Sequence, residues 1–164
     1  QRVLDGRGII IPTDARGAFR TIYSADAAVN FIRVLDAPNT INDAYYVAMP
    51  EIMTIERWAE LICRASGRPS RITYVPREVI RKQESLRSYS PPLTRPIPNI
   101  HDLSKAEAAF GIRTTPVAEW IQTTVDWYRD SYQGGDSEGY EFREEEVALA
   151  ARWEEALNRQ IAGL

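Results

Sequence analysis

Phe19-Arg20-Thr21-Ile22-Tyr23-Ser24 runs straight into Ala25-Asp26-Ala27-Ala28-Val29-Asn30-Phe31-Ile32-Arg33-Val34-Leu35. The first six residues are rich in β-formers and read as a strand. In the next eleven, Val29, Ile32, Val34 and Leu35 make the apolar side of a helix. Asp26 is placed to cap it, and Pro38-Asn39 ends it. A strand passing directly into a short helix is the unit of an α/β layer, and the neighbouring sequence repeats it.

Upstream, Ile9-Ile10-Ile11-Pro12 is a short apolar run closed by proline, the signature of a buried strand. Such a strand needs neighbours on both edges, and little sequence precedes it. A longer parent chain or a second chain would supply that neighbour, unless Gln1 simply follows a removed Met or tag. Downstream, Ala44-Tyr45-Tyr46-Val47-Ala48-Met49 is a third strand candidate. Thr54 is a good N-cap for a helix carrying Ile55, Trp58, Ala59, Ile62 and Cys63 at helical spacing, and Gly67 stands where a helix C-terminus wants a left-handed residue. Arg71–Pro76 is a fourth strand. The order β, β, α, β, α, β predicts parallel pairing through right-handed crossovers.

The second half changes character. Glu78–Arg87 is polar and helical in pattern. Ser88–Pro98 carries four prolines and no periodicity, an extended loop of the length that lids and binding loops have. Asp102–Ala106 opens a short helix that stops near Gly111. Pro116 sits at the first turn of another, whose face is Val117, Trp120, Ile121, Thr124, Trp127 and Tyr128. Gly134–Gly139 is a flexible joint dividing residues 1–133 from a tail, 134–164. In that tail Ala150, Trp153, Leu157, Ile161 and Leu164 form a narrow apolar stripe. The stripe suits docking on the chain's own body or contact with another subunit.

Composition narrows the function classes. The chain has 164 residues and a net charge of −3, so no global field draws it to nucleic acid or anionic lipid. Its apolar runs are a few residues long, far below the ~20 that span a bilayer. A single cysteine, Cys63, cannot close an internal disulfide and fits a reducing, cytoplasmic setting. A dinucleotide fingerprint needs three glycines between a strand and a helix, and Gly6-Arg7-Gly8 lacks the third because Ile11 stands there. No P-loop is present. One histidine, His101, and one cysteine do not make a usual zinc site. His101, at a loop-to-helix junction, reads as a surface or capping residue, and Cys63 as a core thiol.

Taken together, several stretches resemble the C-terminal, substrate-binding half of an extended short-chain dehydrogenase/reductase of the NAD-dependent epimerase/dehydratase group. They are Leu4-Asp5-Gly6 with Ile9–Pro12, Phe19–Ala28, Tyr45–Ala48, Met53–Ala59, Asp102–Ala106 with Phe110-Gly111-Ile112, and Thr115-Pro116-Val117 through Trp127. Ala25 departs from the family pattern, which commonly has an acid there. The resemblance implies an α/β, Rossmann-type fold with short strands and a C-terminal helix. It also implies a nucleotide-binding half, on the same or a separate chain, that holds NAD or NADP and the catalytic Tyr-x-x-x-Lys. Neither lysine here follows a tyrosine by four: Glu78 precedes Lys82 and His101 precedes Lys105. The resemblance therefore implies a small-molecule substrate site without its redox centre, and homo- or hetero-oligomeric assembly. Arg20 falls on the family position that contacts an anionic group of the substrate. Arg95 lies near another substrate position, although Pro96-Ile97-Pro98 departs from the pattern there. Tyr23 is a candidate pocket wall. The alternative is a non-catalytic interaction or regulatory subunit built on the half-fold.

Overall fold

Gly8 opens the first strand in a backbone conformation closed to most residues, φ 88°, and a Cβ there would stand 3.2 Å from both the Cβ and the carbonyl oxygen of Arg71. Glycine is what lets the two strands approach. The computed structural model describes residues 1–69, 71–87, 94, 96–137 and 139–163. In it β1, Ile9–Pro12, pairs in parallel with β2, Ile72–Val75, with Ile9 opposite Ile72 and Pro12 opposite Val75. The ladder extends by one bond at each end, Ile9 N to Arg71 O at 2.9 Å and Thr13 N to Val75 O at 3.1 Å. Two helices lie on the crossover, α1, Ser24–Asp36, and α2, Ile55–Ser66. After β2 come α3, Arg77–Arg81, α4, Ser104–Phe110, α5, Val117–Asp130, and α6, Arg143–Ala162.

The caps of α2 are those the sequence predicts. Thr54 accepts the Arg57 N–H at 3.2 Å, and Gly67 takes φ 67° and donates to Arg64 O. Two of the four expected strands do not form ladders. Phe19 makes only single bridges, antiparallel to Met53 and parallel to Asn99, and one bond joins Met49 N to Thr21 O at 2.7 Å. Residues 44–49 form no strand ladder among the described residues. The polar segment expected to be one helix over 78–87 is α3 followed by a separate turn at Glu84–Leu86.

The apolar residues of α1 do share a face, as their spacing predicts, but that face points outward. Val29 is 45% exposed, Ile32 61% and Leu35 83%. The inward face is Asp26, Asn30 and Arg33, one helical turn apart. Asp26 does not cap the helix; Ser24 starts it, after Tyr23. The Asp26 carboxylate is buried and accepts the Thr115 N–H and hydroxyl, both at 2.8 Å. Asn30 donates to Arg113 O at 2.6 Å and accepts from Arg113 N at 2.9 Å, while Arg33 donates to Gly111 O at 2.8 Å. Three side chains thus supply the partners that the backbone of 110–115 would otherwise lack. Replacing Asn30 with Leu keeps the size and leaves Arg113 without its two bonds. The expected loss is about 1–3 kcal/mol in urea denaturation; a neutral result would mean the seam does not hold α1 in place.

Two apolar cores follow. The first, between α2 and α5, holds Phe19, Met49, Met53, Leu61, Trp120, Ile121 and Val125, with Tyr23 and Trp58 packed against it. The Cys63 thiol is buried on α2. The second joins Ile10 and Val75 of the strands to Ile80, Leu86 and Leu149, with Trp153 packed alongside. The first half of α6 therefore docks on the chain's own sheet, whereas Leu157 and Ile161, further along the same stripe, are exposed. Buried charge secures this docking. Arg143 forks onto Asp5 at 2.7 and 3.0 Å and reaches Glu146 at 2.7 Å, and Glu146 also takes Arg2 at 2.7 Å.

Candidate functional site

Phe19 is locked between Met53 and Asn99, and this places Arg20, the next residue, half-buried beside residues 99–101, which lead to α4. Arg20 N donates to Asn99 O at 3.1 Å, and its Nη1 donates to the His101 carbonyl at 2.6 Å. Arg20 Nε is buried and has no partner among the described residues. The guanidinium borders a cavity of about 370 Å³ whose wall includes Pro50, Asp102, Ser104, Glu107 and Thr114.

Both acids of that wall are already engaged. Asp102 Oδ1 accepts the Ser104 N–H and Oδ2 its hydroxyl, each at 2.9 Å, and Glu107 accepts the Ile112 N–H at 2.8 Å. The Ser104 N–H and hydroxyl hold the Asp102 carboxyl below the usual carboxylate range, and the positive charge of Arg20 adds to this. The Arg20 fork keeps bonding capacity to spare and is suited to a phosphate or carboxylate. Asp102-Leu103-Ser104, an Asp two residues before a Ser at a helix start, is the sequence signal for this wall.

The other expected site residues are not gathered here. Tyr23 stacks on Trp120, with ring centroids 5.6 Å apart and planes 10° apart, and belongs to the wall of the first core. Arg95 lies outside the described residues, as does most of the proline-rich stretch at 88–93. His101 does not cap α4; its ring stacks on Tyr46 at 3.9 Å and bonds the Asn99 side chain at 3.0 Å. A second cleft of about 380 Å³ lies between α2, α5 and β1. Its walls are mainly apolar, including Trp58, Ile62 and Ile121, with Gln1, Thr124, Tyr128 and Ser137 among the polar residues at its border.

The described residues do not form a dinucleotide cradle. Gly6 and Gly8 take positive φ, but they lead into a strand and not into a helix N-terminus that could face a pyrophosphate. No group of three His, Cys, Asp or Glu among the described residues is placed to hold a metal, and no described helix is long and apolar enough to cross a membrane.

The short parallel pair, the crossover helices and the C-terminal helix are part of the Rossmann-like fold of nucleotide-dependent epimerases and reductases. No family model and no curated protein matches the chain. Among solved structures, it is similar to a UDP-glucuronic acid 4-epimerase from Bacillus cereus in complex with NAD, with TM-score 0.58 and 13% identity over 80% of this chain and 39% of that one. It is similar to a UDP-glucose 4-epimerase from Bifidobacterium longum in complex with NAD+ and UDP, with TM-score 0.59 and 16% identity over 79% of this chain and 38% of that one. A Citrobacter triphenylmethane reductase matches with TM-score 0.55 and 15% identity over 76% of this chain and 46% of that one. The chain thus spans two fifths to a little under half the length of these structures.

Proposed function

We propose that the chain is the substrate-binding portion of an NAD(P)-dependent oxidoreductase or epimerase of the short-chain dehydrogenase/reductase type. In this reading a nucleotide-binding half, on the same or a separate chain, completes it for catalysis. The observation that carries the proposal is the fold shared with part of epimerases and a reductase solved with NAD or NADP(H). The absence of a Tyr-x-x-x-Lys pair and of a glycine fingerprint from the sequence supports the division of labour. Hydride transfer needs the nicotinamide and an acid–base pair held together. The chain's own part is recognition. Arg20 receives an anionic group of a small-molecule substrate, and an oxygen reaching the guanidinium satisfies the buried Nε. Arg95 is a second cation for the same substrate, and Tyr23 backs the Arg20 segment through its stack on Trp120. The setting is the cytoplasm, where Cys63 stays reduced.

Titrating NADH and NADPH into the chain, followed by tryptophan fluorescence, is expected to give no saturable binding, and tight binding would overturn the proposal. UDP, as an anionic probe, is expected to bind the assembled protein at Arg20. Arg20→Ala should weaken it roughly 10- to 100-fold, the size of a charge-assisted hydrogen bond. Equal affinity in the variant removes Arg20 from the site. The second reading, a non-catalytic subunit, draws on the exposed face of α1. It is favoured over the first if the assembled protein binds NAD(P)H and the probe but turns nothing over.

A further inference from the structure

Arg71, Thr73 and Val75 alternate along β2 and the residue before it, so their side chains share one face of the strand pair. Val75 belongs to the core that Leu149 completes, and the Thr73 hydroxyl donates to Glu154, so α6 lies over this face. Arg71 continues the row, since its carbonyl still accepts the Ile9 N–H at 2.9 Å. On the helix, Val147, Ala150, Ala151 and Glu154 fall on successive turns and form one stripe of α6. Where row and stripe meet, the packing is hollow. Gly8 has no side chain, Ala150 and Ala151 have only a methyl group each, and a cavity of about 460 Å³ is left between the strand starts and the helix. Small-molecule sites span about 300–1,000 Å³, so this one is large enough. It shares no wall residue with the cavity at Arg20.

The strand wall of this cavity carries Arg71 and the helix wall carries Glu154. Among the described residues the Arg71 guanidinium has no hydrogen bond or ion pair, and Glu154 has the Thr73 hydroxyl but no cation. The two border one space without bridging it. The other charge on the wall, Arg7, is already taken by Asp5 and Glu144. A simple anion here meets Arg71 but also Glu154, and a simple cation meets the reverse, so each gains one contact and suffers one repulsion. A ligand with a carboxylate and an ammonium group a few bonds apart satisfies both walls. We propose that this cavity binds a free α-amino acid with an apolar side chain, its carboxylate on Arg71 and its ammonium on Glu154. The planar fork of Arg71 matches a carboxylate, and Val147 with the two alanine methyls gives the ligand's side chain an apolar wall. The bound amino acid ties α6 to the strand pair, and by linkage it stabilises the chain.

The test uses the full chain and three probes of similar shape: L-leucine, isocaproate, which lacks the amine, and isoamylamine, which lacks the carboxylate. Backbone amide shifts are followed by NMR as each is titrated. L-Leucine is expected to bind saturably and to move the Gly8, Ala150 and Ala151 amides. It should bind roughly 10-fold tighter than either single-charge probe, the worth of one charge-assisted contact. Arg71→Gln and Glu154→Gln should each weaken L-leucine by a similar factor. Both side chains are exposed, so the urea midpoint of the free chain should not move. The variants should also trade preference: Glu154→Gln takes isocaproate better than the unaltered chain does, and Arg71→Gln takes isoamylamine better. The proposal is overturned if either single-charge probe binds as tightly as L-leucine, if L-leucine moves none of these amides, or if its affinity is indifferent to both substitutions. Should either variant fail to fold, the three probes on the unaltered chain decide the matter by themselves.

Discussion

Arg143→Met is expected to lower the stability of the chain by about 3–5 kcal/mol, the cost of removing one partner from a buried ion-pair cluster. In a chain of this size that is a fall of roughly 6–20 °C in Tm. Arg143 is almost fully enclosed, its fork spans both oxygens of Asp5, and its remaining donors reach Glu146 and the Gly8 carbonyl. Met replaces the length of the side chain and none of its bonds, while Arg143→Lys keeps the charge without the fork and should fall between. A loss below about 1 kcal/mol would show that water replaces the guanidinium. The same cluster sets a pH dependence. Burial alone would raise the Asp5 carboxyl, but the Arg143 guanidinium, the Arg7 N–H and the Tyr140 hydroxyl hold it well below the usual carboxylate range. Its contribution is therefore complete above the unfolded value, about 3.9, and is lost as the pH falls below it toward the depressed folded value. Asp5→Asn should be less stable at neutral pH and show a flatter acid limb in denaturation midpoints measured between pH 6 and 2.

Trp120→Ala is the second large effect, about 3–5 kcal/mol. Trp120 joins α5 to the first core: it stacks on Tyr23 and meets Trp58 at 5.2 Å between centroids. Alanine leaves a cavity beside the Tyr23 and Trp58 rings that helix packing does not collapse. Trp120→Phe should cost far less, under about 1.5 kcal/mol, because the buried indole N–H has no acceptor among the described residues and its removal breaks no hydrogen bond to them. Equal losses for Ala and Phe would show that the indole contributes something other than packing. Urea midpoints of the two variants decide it.

The elements that rest on local chemistry were legible. Thr54 and Gly67 bound α2 because a cap needs only its own turn. α5 and α6 follow their apolar spacing. What periodicity does not carry is direction. Val29, Ile32 and Leu35 share a face, but so do Asp26, Asn30 and Arg33, and the 110–115 loop decides which of the two turns inward. β-propensity likewise marked 19–24 and 44–49 as strands, yet propensity does not provide the neighbour a ladder requires. Of the candidate site, Arg20 was singled out by the resemblance, and the structure sets it on the wall of a cavity. The wall opposite it was not, because Asp102 and Glu107 enter through hydrogen bonds of their own helix. The Arg2–Asp5–Arg143–Glu146 cluster had no sequence signal at all, since 138 residues separate Asp5 from Arg143.

That separation bears on how the chain reaches its native state. Asp5 waits for a partner 138 residues further along, so a ribosome releases it long before Arg143 exists. Until α6 arrives, one flank of β1 and β2 lacks the packing of Leu149 and Trp153, and loop closure over almost the whole chain stands between collapse and completion. A helix synthesised long after β1 is thus the one that seals that strand. The slow phase of refolding should belong to the docking of α6, with the α2–α5 pair assembled ahead of it.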